Sequence, residues 1–332
     1  MISGPALRPQ GEPLPRICLA LWLAFAACAA AAQVYPSKPV RILVPFGPGG
    51  VADITARLVA QQMSGPLGQP FIVENRPSAG GVVAAGAVAQ AAPDGHTLLF
   101  ITNGNAVSAT LFKALPYDTV KDFAPISTIG FFDLVFLARP GAPVDSIASL
   151  LARARAQPGK LLVATINPGS TQNLAAELLR MTAAIDVDIV PFKGTPEVIG
   201  ALRAGIVDAG VEILAPVLPQ IRGGVLRPLA IAANRRSPIL PEVPTVAEAG
   251  VPGYEASSWN GLAAPARAPA AVIERLNREV RTALAVSEIR RRLHELGIEA
   301  RAGTPGALRE QLETDIEKWK RVIEHAGIPR QG

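Results

Sequence analysis

The chain is poor in the residues most often used for chemistry. Of its 332 residues only two are cysteines, three are histidines and three are tyrosines, and charged residues make up 18%. Both cysteines, Cys18 and Cys28, fall in an alanine-rich leader. The protein without that leader can therefore form neither a disulfide nor a thiolate metal site. No H-E-x-x-H or other close ligand spacing for zinc occurs, and no G-x-S-x-G elbow that would present a serine nucleophile. His96 stands in "PDGHT", a turn entering a strand, while His294 and His325 fall in C-terminal helical patterns. In those settings a histidine is expected at a surface or cap rather than as a general base. Basic tracts are also missing. Net charge is +5, but the densest run, Arg290-Arg291-Arg292, is flanked by Glu288 and Glu295 and reads as a solvated helix face, which argues against a nucleic-acid footprint. Binding without turnover, with no cofactor and no metal, is the expectation.

What is abundant is apolar sequence, 49% of the chain, enough to bury a sizeable core in one large or two medium domains. Residues 1–32 stand apart. Arg8 and Arg16 precede "ICLALWLAFAACAAAA", the layout of a secretory signal peptide with cleavage expected after Ala32. The segment is short for a membrane span, which needs roughly 20 apolar residues. The remainder is expected to be exported.

Beyond the leader, strand-like runs alternate with helical patterns. Strands are expected at 40–45, 71–74, 97–102, 161–166, 188–191, 209–213 and 229–232. Helices are expected at 52–63, 82–90, 146–156, 172–182, 196–204 and 216–222. The alternation predicts an α/β fold with parallel sheets covered on both faces. Toward the C-terminus, 270–296 and 305–326 read as two long amphipathic helices around a short strand at 298–301. Two extended segments, "FFDLVFLARPGAPVDS" and 258–264, read as crossings between lobes. They predict one domain at 33–133 plus 258–332 and a second at 134–257. No internal repeat stands out.

In open α/β sheets, ligands bind beyond the carboxyl ends of the strands. Those ends carry a series of glycine, serine and threonine turns. They are Gly47-Pro48-Gly49-Gly50, Ser78-Ala79-Gly80-Gly81, the "TNGN" turn with Asn103, Asn167–Thr171, and Lys193–Glu197. Helix starts carry unpaired N–H groups and partial positive charge, so such turns on two lobes could hold a carboxylate on backbone donors. Asp53 has two readings: it orients the glycine turn or meets a ligand, or it is a first-turn acid complementing the helix. The second is the more general preference. Gly47-x-Gly49-x-x-Ala52 followed by Glu74 also fits a dinucleotide fingerprint, but Pro48 removes a donor from the phosphate turn and weighs against it.

Six stretches, in order, carry a family resemblance: "YPSKPVRILVPFGPGGVADITAR", "VENRPSAGG", "APDGHTLLF", "YDTVKDFAPIS", "VPFKGTPEVIGALRAGIVD" and "PEVPTVAEAGVPGYEASSWNGLAAPARAP". The chain resembles, over roughly residues 35–328, the Bug family of extracytoplasmic solute receptors of tripartite tricarboxylate transporters. The resemblance implies a two-lobed periplasmic binding protein of type II, with a ligand cleft between the lobes that closes on a small carboxylate. On the first lobe it implies Phe46, Pro48, Gly49, Gly50, Asp53, Ser78, Ala79 and Gly80 as ligand-binding positions. On the second it implies Gly169, Ser170, Thr171, Gly194 and Thr195. This chain departs from the family pattern at Asn173, where a histidine is usual, at Val211-Glu212, where phenylalanine and aspartate are common, and at Asn103. Asn103, Asn173 and Glu212 join the candidate ligand-binding residues on that account. The implied partners are membrane permease subunits or, as the alternative, a signalling protein served by a monomeric receptor.

Overall fold

The computed structural model describes residues 35–332; the leader expected at 1–32 lies outside the described residues. Two mixed sheets carry the fold. The first has strand order β11-β4-β10-β3-β1-β2 and the second β7-β6-β8-β5-β9. In the first, β1 (Val40–Val44), β2 (Phe71–Asn75) and β3 (Thr97–Thr102) are parallel neighbours, with β1 in the middle. Their apolar runs are near-continuous because both faces are covered, and every residue of β3 is buried. β10 (Ser258–Pro265) lies between β3 and β4 (Phe123–Phe132), and β11 (Ile298–Ala300) forms the edge beside β4. In the second sheet β6 (Leu162–Ile166) lies parallel to β7 (Asp188–Phe192) and β8 (Ala209–Ile213). β5 (Leu134–Ala138) runs antiparallel to both β8 and β9 (Arg227–Ile231).

The sheets are thus not wholly parallel, as the alternation alone predicts. The reversals belong to strands that arrive from the other sheet or from the C-terminal helices. β4 passes into β5 through Asp133 alone, and β10 enters the first sheet antiparallel to both β3 and β4. A strand entering from a neighbouring lobe has no helical crossover to turn it parallel, so it pairs in the opposite sense. The pairing of β10 with β4 is close: a Cβ on Gly261 would stand 2.6 Å from the Ser127 carbonyl oxygen.

The helices follow their apolar spacing. In Val51–Leu67, residues Ala56, Val59, Ala60, Met63 and Leu67 form the buried stripe, and Gly68 ends the helix in the left-handed conformation at φ 67°. The helical pattern at 270–296 is interrupted. Val286 is extended (φ −68°, ψ 122°), which splits it into Ala270–Ala285 and Ser287–Glu295. A helix at Asn103–Leu111 and the strand β4 are additions to the predicted elements.

Each lobe has its own apolar cluster. A third cluster joins them, running from Leu99 and Ile101 through Trp259 and Trp319 to Phe136, Leu174 and Tyr254. The C-terminal helix, Pro305–Ala326, packs on both the Asn103–Leu111 helix and the Thr171–Thr182 helix, so it belongs to both sides. Tyr254 Oη donates to the Ala175 carbonyl at 2.8 Å, another tie into the second lobe. Within this core Asp315, 1% exposed, accepts from Trp259 Nε1 at 2.6 Å and Gln311 Nε2 at 3.0 Å, with Lys318 Nζ 2.8 Å away. Removing one partner of a buried, hydrogen-bonded charge strands the others. Asp315→Ala is therefore expected to lower stability by about 3 kcal/mol, read as a lower urea midpoint with Trp259 fluorescence as the probe.

Candidate functional site

The turn after β1 is built around one buried carboxylate. Asp53, 3% exposed, accepts the Gly49 amide on Oδ2 at 2.9 Å and the Asn75 amide on Oδ1 at 2.8 Å. Arg57 Nε lies 3.0 Å from both of its oxygens. Asn75 also donates to the Phe46 carbonyl at 3.0 Å, and its own Oδ1 accepts from Arg57 at 3.1 Å. Burial would raise the Asp53 pKa, but Arg57, the Gly49 amide and Asn75 outweigh it and hold the carboxyl below its ordinary range. Asp53 is thus more than a first-turn acid: it fixes the path of the loop. Gly49 takes φ 79°, a left-handed conformation that glycine adopts without steric cost. Phe46, Pro48, Gly49 and Gly50 are exposed on the loop, leaving the first-turn amides of the Val51–Leu67 helix available.

The second lobe repeats this loop with different chemistry. In "NPGSTQN", Gly169 has φ 79° and donates its amide to Asn173 Oδ1 at 3.0 Å. Position for position, Pro48-Gly49-Gly50 followed by Asp53 matches Pro168-Gly169-Ser170 followed by Asn173. Ser170 caps the Thr171–Thr182 helix by accepting the Asn173 amide at 3.1 Å, and donates to the Ile166 carbonyl at 3.1 Å. Asn173 Nδ2 reaches Thr165 Oγ1 at 3.3 Å. After β7 the pattern comes a third time. The Lys193 amide donates to Glu197 Oε2 at 3.0 Å, with Pro196 in the first turn of the Thr195–Ala204 helix.

The remaining candidates lie beneath or between these loops. Ser78 Oγ accepts the Val83 amide at 3.0 Å, and Ala79–Gly81 forms a 3₁₀ turn in which the Gly80 carbonyl accepts from Ser108 at 2.9 Å. Asn103 has no exposed surface. Its Oδ1 accepts from Trp319 Nε1 at 2.9 Å, and its Nδ2 lies 3.5 Å from Thr171 Oγ1. Both of its polar groups are thereby committed, linking the C-terminal helix to the start of a second-lobe helix. Glu212, also fully buried, accepts from Thr195 Oγ1 at 2.9 Å and Gln172 Nε2 at 3.3 Å. Thr195 and Gly194 are half-buried at their helix start.

The structure therefore brings Gly169, Ser170, Thr171 and Asn173 into one loop, ties Thr195 to it through Glu212, and joins Thr171 to Asn103. Phe46, Pro48, Gly49, Gly50 and Asp53 form a separate first-lobe loop, with Ser78, Ala79 and Gly80 in the adjoining turn. Residues outside the predicted set organise both lobes: Arg57 and Asn75 around Asp53, and Gln172 and Thr165 on the second lobe. Arg57 was legible as the helical i+4 partner of Asp53; Asn75 and Gln172 carried no such signal. Among the described residues no group of histidine, cysteine or carboxylate side chains is arranged to hold a metal, and no helix is long and apolar enough to cross a membrane.

Comparison with known proteins adds three findings. Residues 55–328 match the family described as tripartite tricarboxylate transporter family receptor. Protein BugT of Bordetella pertussis is 35% identical over 313 residues, 93% of this chain and 96% of that protein. Among solved structures, R. palustris Rpa4515 with adipate is 34% identical, with a TM-score of 0.74 over 89% of this chain and 99% of that one. MatC of Rhodopseudomonas palustris with bound malate is 35% identical, with a TM-score of 0.71 over 87% and 100%.

The depressed Asp53 pKa has a definite consequence for stability. Its contribution is complete above the unfolded carboxylate range and is lost as pH falls through the folded pKa. Asp53→Asn is expected to melt several degrees below the wild type at pH 7, and the gap should narrow as pH falls below the ordinary carboxylate range. Differential scanning calorimetry across that range checks it; a gap constant with pH would show that the carboxylate charge plays no part.

Proposed function

The chain belongs to the family of tripartite tricarboxylate transporter receptors, and from that premise we propose that it is a periplasmic solute receptor that captures a small organic carboxylate. The family consists of solute-binding receptors, so the protein delivers its ligand rather than transforming it. Export by the 1–32 leader, action as a monomer and delivery to membrane permease subunits complete the reading. The lobes are assigned as 33–133 plus 258–332 and 134–257, hinged at the crossing through Asp133 and at the return before Ser258. The ligand is assigned to Phe46, Gly49 and Gly50 with Ser78, Ala79 and Gly80 from one lobe, and to Gly169, Ser170, Thr171, Gly194 and Thr195 from the other.

The observation that carries this reading is the recurrence of one loop on both lobes. Gly49 with Asp53 and Gly169 with Asn173 each hold a turn open at the start of a helix. Arg57, the cation tied into the first-lobe loop, is already engaged by Asp53, which leaves that loop's backbone amides as its anion donors. A hydrogen bond to a charged acceptor contributes roughly 1.5–3 kcal/mol net. A handful of them supplies the about −8 kcal/mol of micromolar binding. Malate is bound in MatC and adipate in Rpa4515, which supports the choice of a carboxylate.

A thermal-shift screen of mono-, di- and tricarboxylates, amino acids and aromatic acids is expected to return at least one stabilising acid, with isothermal titration giving micromolar affinity. A blank screen would overturn the proposal. Gly50 has φ −79°, and a Cβ there would have only the Gly47 carbonyl within 4 Å, at 3.9 Å. Gly50→Val should therefore fold normally and lose at least about a hundredfold in affinity, since the side chain would occupy the anion's place. Unchanged affinity would remove the first-lobe loop from the site.

A further inference from the structure

Glu212 stands at the end of β8 without exposed surface, between the starts of the Thr171–Thr182 and Thr195–Ala204 helices. One of its oxygens, Oε2, accepts from both Thr195 and Gln172. The other, Oε1, is buried and accepts no hydrogen bond among the described residues. A carboxylate taken out of water without a counter-ion is costly, and binding a proton is its usual remedy. Burial pushes the Glu212 pKa up, and Gln172, Thr195 and the Ile213 amide offset this only in part.

The charged groups on the surrounding elements are paired elsewhere, exposed, or at the far ends of their helices. Glu177 pairs with Arg180 at 2.7 Å, and Glu197 accepts the Lys193 amide. The Lys193 side chain is exposed. Arg203 and Arg222 sit in the last turns of their helices, at the ends away from these starts. Asp208, which precedes β8, accepts the Leu162 amide at 2.9 Å. Asp133, which precedes β5, is hydrogen-bonded to Ser237 and lies near Arg235 and Arg301. Among the described residues no cation balances Glu212. An ionised Glu212 would also repel an incoming carboxylate, whereas a neutral one offers it a proton.

We propose that Glu212 works as a neutral carboxylic acid in the ligand site, with Oε2 fixed as acceptor by Thr195 and Gln172 and the Oε1 proton donated to a ligand carboxylate. This rests on the reading of the chain as a carboxylate receptor and narrows the ligand to an organic dicarboxylate. Loop amides of the first lobe take one end, and the other end shares the Glu212 proton. No bond to carbon forms or breaks; one proton is taken up with the ligand whenever Glu212 is ionised in the free protein.

Isothermal titration of the exported chain with succinate, malate and adipate, their monocarboxylate counterparts and aspartate tests this between pH 5.5 and 8.5, in two buffers of different protonation enthalpy. Dicarboxylate affinity is expected to fall by up to about tenfold per pH unit above the Glu212 titration, with uptake of one proton. Glu212→Gln, whose amide donates at every pH, should flatten that dependence and bind dicarboxylate more tightly than wild type at pH 8.5. Wild-type affinity independent of pH without proton uptake would overturn the inference and leave the receptor reading standing. So would a preference for aspartate over succinate, malate and adipate that disappears in Glu212→Gln, since it would mark an ionised acceptor for an ammonium group. Absence of binding by any acid at any pH would take down the receptor reading as well. Should Glu212→Gln fail to fold, proton uptake by the wild type decides alone.

Discussion

In three turns at the carboxyl ends of strands, a backbone amide is captured by a side-chain oxygen four residues further along: Gly49 by Asp53, Gly169 by Asn173, Lys193 by Glu197. The capture orients the peptide planes ahead of each helix and keeps the first-turn amides from collapsing into other contacts. Anion recognition by backbone donors depends on that preorganisation, because an amide carries only partial charge and must already be aimed. The acceptors differ in how they are balanced. Asp53 is ionised against Arg57, Asn173 is neutral and rests on Thr165, and Glu197 is exposed to solvent. One loop geometry thus carries different local fields on the two lobes.

The lobes are joined by more than two crossings. Asn103 accepts from Trp319 and reaches Thr171, so the C-terminal helix, the first-lobe helix start and a second-lobe loop meet in one polar relay. It lies beside a continuous apolar cluster holding Trp259, Trp319, Phe136 and Leu174. Buried polar relays tolerate little change in geometry, since each lost partner leaves a desolvated group. The exposed first-lobe glycine loop stands clear of that core, whereas the second-lobe loop is tied to it through Thr171 and packs Gly169 against Leu111.

Where the fold was legible, period and continuity made it so. Apolar runs such as "VRILV" and "TLLFIT" and the stripe of the Val51–Leu67 helix follow directly from burial on both faces or on one. The Asn103–Leu111 helix was not legible, because "NGNAVSATL" opens on the turn formers Asn-Gly-Asn. It is helical because Thr102 donates to Asn105 at its start and because packing covers its face. The break at Val286 is likewise invisible in an amphipathic pattern that runs through it. The two readings of Asp53 could not be separated by composition, since Asn75, which decides between them, is distant in sequence.

The sequence by itself determined the alternating α/β architecture, the family and the turns at the strand ends, because these depend on local periodicity, glycine conformations and contiguous motifs. Only the tertiary structure decided that the loops of "GPGGVAD" and "NPGSTQN" share one geometry, that Asn103 spans the lobes, and that Glu212 is buried with one oxygen unpaired. Those outcomes arise from long-range contacts, where the energy of a polar group is set by which partners the fold places within hydrogen-bond reach and by how much water it removes.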